Sequence, residues 1–533
     1  MRYSSALFVT PFSAGRFYGG VRPPVGIGYV EEYVAANGVR TDAFDMTLGY
    51  SVKDLFGKID QMKPEIIGFT VMTYQYLHTL AIISAVKRRY ANIPIVMGGA
   101  HVSAIGIEAL KQCPAAHFAI HGEGELSMLD LCRGVPFEKI AGLYYRSGDE
   151  LRTGPTSFYV PDLSILPFPR FSSYDLKRYT NEIEINTSRG CPFDCNFCAV
   201  STITGRKVRY RTARSVGDEL AYFYARGVRG FQFGDDNFLS NKSRVRTLMD
   251  EIMERGYKNL TLRCGQGIRG ELITQELLMR MKEVGFRHLG VGVESASNRI
   301  LKTIRKDTSI EKIERGVRIA CELGYDVTLL FVIGTPGETL ADVQTSIDFA
   351  LKYPVMKAFF FNLIPFPGTE LYDWVTEHNS LLGPYEELIN RPDEIKLRSK
   401  PFFQTPEMPE ADRYRAIKMT EKASRTIQVR TMRRKLARFG LVGRIAALAS
   451  QFNAMERLFV RHRNFRRFLD HIVFSPRPEQ GGNRPLVESS FAPLDQPDVV
   501  LPSALSATVL NIAPATSSTA AGQAARPISR GVD

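Results

Sequence analysis

Two stretches of this 533-residue chain alternate short, continuously apolar runs with amphipathic ones, and that alternation constrains the fold most. In the first, strands are predicted at 6–9, 40–44, 66–71, 95–97 and 118–120, with helices near 26–36, 51–61, 77–89 and 106–112. Apolar strands separated by helices require a parallel sheet covered on both faces. Such open α/β sheets bind ligands beyond the carboxyl ends of their strands. The polar and glycine-rich segments fall there: Thr70-Val71-Met72-Thr73, Gly98-Gly99-Ala100-His101 and His121-Gly122-Glu123-Gly124-Glu125.

The second stretch repeats a strand–helix unit about six times. Its strands are expected near 183–186, 230–233, 260–263, 288–291, 327–332 and 359–363. Six units make a partial barrel, short of the eight that close one. The expected division is 1–150 for the first module, 151–180 for a proline- and aromatic-rich linker, and 181–365 for the barrel. A mainly helical region follows at 366–474, then a disordered tail at 475–533, rich in Pro, Ser, Ala and Gly.

Directly after the first barrel strand comes Cys191-Pro-Phe-Asp-Cys195-Asn-Phe-Cys198. Three thiolates on one tight loop can hold three irons of a [4Fe–4S] cluster and leave the fourth iron open for chemistry. Structural zinc is the plainer reading, but the other four cysteines are scattered singly and no His follows nearby. Seven cysteines with three clustered do not form a disulfide framework, which points to a reducing compartment. The first residues lack a signal-peptide pattern, and no run approaches a membrane span. A cytoplasmic location is therefore expected.

The CxxxCxxC triplet, with Phe197 before its last cysteine, resembles the signature of the radical S-adenosylmethionine (SAM) superfamily. Further motifs follow in the family's order. Phe233-Gly234-Asp235-Asp236 ends the second strand. Arg269-Gly270-Glu271-Leu272 resembles "RxDL", and Gly292-Val293-Glu294-Ser295 resembles "GxES". Gly334-Thr335-Pro336-Gly337-Glu338-Thr339 resembles "GxPGET", and Pro365-Phe366-Pro367-Gly368-Thr369-Glu370-Leu371 resembles "PxPGTxL".

The resemblance implies a cluster on Cys191, Cys195 and Cys198 whose open iron chelates SAM and cleaves it to a 5′-deoxyadenosyl radical. It implies SAM contacts from Phe197, from Asp235 (first choice) or Asp236 at the amine, and from Glu294 and Ser295 at the ribose. Arg269 would hold a carboxylate through its fork of donors, and the turn at Gly334 would face adenine. Read from the residues alone, the two aspartates could equally cap a helix, and Arg269 could lie on the surface.

Pro23-Pro24-Val25-Gly26-Ile27-Gly28, the Gly98–His101 turn and the Gly122–Glu125 segment resemble the cobalamin-binding domain fused to many radical SAM enzymes. That implies a Rossmann-like, flavodoxin-like module over 1–150 with cobalamin contacts at Thr70, Met72, Gly98, Gly99, His101, Gly122 and Glu123. The chain departs from the D-x-H-x-x-G pattern of many cobalamin domains. His101 is accordingly expected on the loop or phosphate side rather than on cobalt.

The net charge of +13 is uneven: 430–474 holds eleven Lys/Arg against two acids. A helical domain with a solvated face explains it; a basic amphipathic helix on an anionic lipid surface is the alternative, and nucleic acid is not expected. The whole reads as a cobalamin-dependent radical SAM methyltransferase. It would act on an unreactive carbon or on phosphorus of a small or lipid-like substrate and be reduced by a flavodoxin- or ferredoxin-type donor. A cyclase or rearrangement enzyme with the same cofactors is the alternative, and a non-catalytic cobalamin or SAM sensor a further one. RNA methylthiolation would want three more cluster cysteines near the N-terminus.

Overall fold

The computed structural model describes residues 1–11, 22–156, 159–390 and 400–440. The expected tail and the 441–474 part of the basic segment lie outside the described residues.

The N-terminal module is a seven-stranded sheet. Strands β1 (Ser5–Thr10), β2 (Arg40–Asp45), β3 (Ile66–Thr70), β4 (Ile95–Gly98) and β5 (Phe118–Ile120) run parallel in the order 2-1-3-4-5, the flavodoxin-like arrangement. Ala6, Leu7 and Val9 are fully buried because helices cover both faces of the sheet. Two elements were not expected. An antiparallel hairpin, β6 (Leu143–Ser147) and β7 (Glu150–Thr153), extends the sheet across position 150. A helix, Gly124–Arg133, begins inside the segment read as a loop motif, and Gly134 ends it in the left-handed conformation.

The linker packs tightly. Phe171 approaches the helix Val25–Ala36 so closely that a Cβ on Gly28 would lie 2.7 Å from its ring, which is why that position takes glycine. Val160, Leu163, Leu166, Phe171 and Tyr179 are buried in the same core as the barrel strands.

Strand β8 (Glu182–Ile185) opens the barrel, and a short antiparallel ribbon, β9 (Ser188–Arg189) with β10 (Arg209–Tyr210), follows it. Strands β11 (Gly230–Phe233), β12 (Thr261–Arg269), β13 (Phe286–Glu294), β14 (Asp326–Ile333) and β15 (Lys357–Asn362) complete a six-stranded parallel sheet in the order 15-14-13-12-11-8. Strands β12 and β13 run longer than expected. Their register shifts between Cys264 and Ile268 and between Gly292 and Glu294, irregularities of the kind that re-aim side chains near active sites.

The helix Glu410–Leu436 covers the edge strand β15: the Ser424 hydroxyl donates to the Ala358 carbonyl at 2.9 Å. Several cations of the basic segment serve this packing. Arg430 and Arg434 donate to the carbonyls of Leu351, Pro354 and Val355, and Lys435 pairs with Asp326 at 2.9 Å. Among the described residues, no helix is long and apolar enough to cross a membrane.

Candidate active site

Strand β8 delivers the chain to Gly190, whose φ of 97° and close approach to the Lys207 carbonyl (2.6 Å from a would-be Cβ) exclude any side chain. The cysteine loop then closes on itself, with Cys191 N donating to Gly205 O at 3.1 Å and Cys198 N to Cys195 O at 3.1 Å. Two neighbouring segments clamp it. Asn196 donates through its backbone to Ile304 O (3.3 Å) and through its side chain to Thr303 O (3.0 Å). On the other side, Leu371 N donates to Asn196 O at 3.2 Å. Asp194 pairs with Arg206 and Arg305, and Arg305 also with Glu370. The Pro365–Leu371 motif thus helps to hold the cysteine loop.

All three thiols are partly buried. Burial pushes each upward, Cys198 to about 11, while Lys306 and Arg269 counter it at Cys191 and Cys195. Among the described residues no three His, Cys, Asp or Glu side chains converge as a single ion would require. A cluster asks instead that each thiol reach a different iron, which three thiols on one clamped loop suit. Phe197 packs against both the barrel core and the core shared by the N-terminal module and the C-terminal segments.

The two aspartates are placed differently. Asp235 is buried and taken up by side-chain hydroxyls: it accepts from Thr187 Oγ1 at 2.7 Å and from the Ser188 hydroxyl. Asp236 lines the cavity, accepting from Gly190 N at 3.0 Å and Thr204 Oγ1 at 2.9 Å, and burial holds its carboxyl above the usual range. Both follow the end of β11 at Phe233, and of the two only Asp236 lines the cavity.

Arg269 is buried rather than on the surface. Its guanidinium pairs with Glu271, donates to the Lys306 carbonyl and lies 3.7 Å over the Phe193 ring of the cysteine loop. Glu294, in the left-handed region at φ 63°, meets Lys306 Nζ at 2.7 Å. Ser295 is fully buried, its hydroxyl accepting from Ser297 N at 3.2 Å. The turn at Gly334 does not offer free amides: Gly334 N and Thr335 N both donate to the Glu338 carboxylate, and Arg413 donates to the Gly334 carbonyl at 2.6 Å.

A cavity of about 320 Å³ opens between the two sheets, within the ordinary range of ligand pockets. The edge of the N-terminal sheet supplies Thr70, Met72, Gly98, Gly99, Gly122 and Glu123; the barrel supplies Asn186, Ser188, Arg189, Thr204, Gly234 and Asp236. At Gly99, with φ 98°, an added Cβ would lie 2.8 Å from Thr70 Oγ1. His101 is the exception among the expected contacts. It does not line the cavity but is buried and stacked on Tyr76, ring centroids 4.3 Å apart, and burial lowers its pKa to about 4.

Sequence reasoning missed Arg189. Its guanidinium bridges to Glu125 at 2.7 Å and Glu123 at 3.1 Å, while Arg209 meets Glu123 at 2.7 Å. The acids of the Gly122–Glu125 segment therefore tie the two modules together, and Glu123 is an ion-pair partner as well as a lining residue. A charged residue directly before Gly190-Cys191 was the available signal. Asn186 Oδ1 and Glu125 Oε2 are buried without a partner beside the cavity. Polar atoms left open around glycine-lined backbone fit a large, amide-rimmed cofactor such as a corrin.

The profile of the radical SAM superfamily matches residues 185–350, and that of the B12-binding domain matches residues 16–131. The chain belongs to the radical SAM superfamily and carries a B12-binding domain. It is a cobalamin-dependent radical SAM enzyme, with a [4Fe–4S] cluster, SAM and cobalamin as the implied cofactors. It is similar to an uncharacterized methyltransferase of Pyrococcus horikoshii, 28% identical over 376 residues, covering 69% of this chain and 81% of the relative. It is also 26% identical over 390 residues to the anaerobic magnesium-protoporphyrin IX monomethyl ester cyclase of Rubrivivax gelatinosus, 69% of each chain. Its fold is shared with the radical SAM methyltransferase TsrM of Kitasatospora setae, solved with cobalamin and a [4Fe–4S] cluster. The TM-score is 0.66 at 18% identity, covering 79% of this chain and 89% of that one.

Proposed function

We propose that this enzyme is a methyltransferase that transfers a methyl group to an unactivated carbon, or to phosphorus, of a small or lipid-like substrate. One observation carries the reading: a single cavity is walled on one side by the ligand edge of the B12-binding module and on the other by the loops around the cysteine triplet. In this reading the two edges hold the cofactors on facing walls, with the substrate between them.

In this reading Cys191, Cys195 and Cys198 hold the cluster, and the clamps at Asn196 and Asp194 fix its position. Asp236 receives the amine of SAM, and Glu294 and Ser295 are assigned to its ribose. Thr70, Met72, Gly98, Gly99 and Gly122 form the cobalamin-side wall. When bound, the cofactors supply the radical chemistry and the methyl group; the protein orients them and excludes water.

The methyltransferase name of the Pyrococcus relative favours methyl transfer, whereas the Rubrivivax relative's name favours ring closure with the same parts. Mass spectrometry of products from anaerobically reconstituted enzyme separates them. Methyl transfer adds one methylene to the substrate per turnover; a product formed only with loss of hydrogen would overturn it in favour of cyclisation.

A further inference from the structure

The segment after the helix Asn298–Thr303 has an unusual backbone. Arg305 and Asp307 both lie in the left-handed region, at φ 53° and 51°, and Glu294 opposite them at 63°. None is glycine. Non-glycine residues adopt this conformation at a cost, and such positions cluster where a side chain must be presented in one way. The residue presented between the two is Lys306, 3% exposed, with its ammonium 2.7 Å from Glu294 Oε1.

This lysine belongs to the cysteine loop's own support. Its carbonyl accepts from Arg269, whose guanidinium covers the Phe193 ring within the triplet, and Ile304, two residues earlier, accepts from Asn196 within the triplet. Arg269 is paired with Glu271 and Lys306 with Glu294. Two buried cations with single carboxylates would be an expensive way merely to hold a loop, since a buried ion pair gains little over apolar packing. A fixed charge beside a redox group has a further use, because hydrogen bonds and net charge set the potential there.

We propose that Lys306 is a positioning residue whose buried positive charge, seated beside the cysteine loop, makes the iron–sulfur cluster easier to reduce. Reduction adds one electron from a low-potential one-electron donor and forms or breaks no bond, so a nearby cation stabilises the reduced, more negative state. The inference rests on the reading that Cys191, Cys195 and Cys198 hold the cluster.

The test is a titration of the anaerobically reconstituted full chain with reduced viologen, followed by electron paramagnetic resonance before any SAM is added. At the ambient potential where half of the wild-type cluster is reduced, Lys306→Met is expected to lower the reduced-to-oxidised ratio about tenfold, equivalent to about 59 mV for one electron. Lys306→Arg keeps the charge and is expected to restore most of the ratio. Glu294→Gln removes the opposing charge and is expected to raise it. An unchanged ratio in Lys306→Met, or equal losses in Met and Arg variants, overturns the proposal. Should Lys306→Met lose its cluster, Glu294→Gln decides, and a ratio that stays level or falls overturns it. A wild-type protein that takes up no reducible cluster would instead sink the reading of the cysteines, a result distinct from these.

Discussion

Arg189, two residues before the first cysteine of the triplet, donates from Nη2 to Glu125 Oε1 across 2.7 Å and so joins the barrel to the B12-binding module. Glu125 is buried and Arg189 nearly so, and the Arg189 guanidinium also lies 4.9 Å over the Tyr29 ring. The pair therefore ties the two sides of the cavity wall together.

Arg189→Met leaves Glu125 buried without its cation. Breaking a buried pair from one side costs about 3–5 kcal/mol. Urea unfolding is expected to show a loss of that order, and adding Glu125→Gln is expected to recover part of it. A single variant as stable as the parent would show that the pair contributes nothing.

Glu31 offers a pH test. It accepts from the Ser173 hydroxyl at 2.6 Å on the buried side of the helix Val25–Ala36, and burial raises its pKa from 4.5 to about 7, opposed by that hydrogen bond. A carboxyl raised on folding holds its proton more firmly in the native state, so its contribution to stability falls as pH rises from about 4.5 to about 7. At 1.36 kcal/mol per unit the span amounts to about 3 kcal/mol. Glu31→Gln keeps the hydrogen bond and is expected to flatten that part of the stability profile. Parallel profiles for the two proteins would contradict it.

Gly99→Ala places a Cβ 2.8 Å from Thr70 Oγ1 at a backbone φ of 98°. The turn on the B12 side of the cavity must then shift. Cobalamin affinity, read from the absorption of bound cofactor, is expected to fall at least about tenfold while iron content stays near that of the parent. Equal loss of both would argue against separate walls for the two cofactors.

The aspartates should separate cleanly. Asp236→Asn is expected to weaken SAM binding about tenfold or more in equilibrium dialysis, with the fold unperturbed. Asp235→Asn removes the acceptor for Thr187 and Ser188, and its expected effect is a lower unfolding temperature instead. The reverse assignment would restore the order read from the sequence.

The parallel strands were legible because burial on both faces writes them as unbroken apolar runs, as at Ile66–Thr70 and Asp326–Ile333. The helix Gly124–Arg133 was not, because its first turn carries the glycine and glutamate that also suit a ligand loop. The triplet's loop was plain from spacing. Which of Asp235 and Asp236 faces the cavity was not, since neighbouring acids differ only in the direction the strand end gives them. His101 followed a glycine pair in the expected place, yet packing against Tyr76 removes it from the ligand space. Lys306 had no marker in sequence: its importance comes from the backbone conformation of Arg305 and Asp307, which only the fold imposes.

The most direct test of the two-module account is Cys195→Ala, reconstituted with iron, sulfide and cobalamin and incubated with SAM and reductant. Formation of 5′-deoxyadenosine is expected to vanish while the absorption spectrum of bound cobalamin persists. Continued formation of 5′-deoxyadenosine, or loss of cobalamin together with it, would contradict the account.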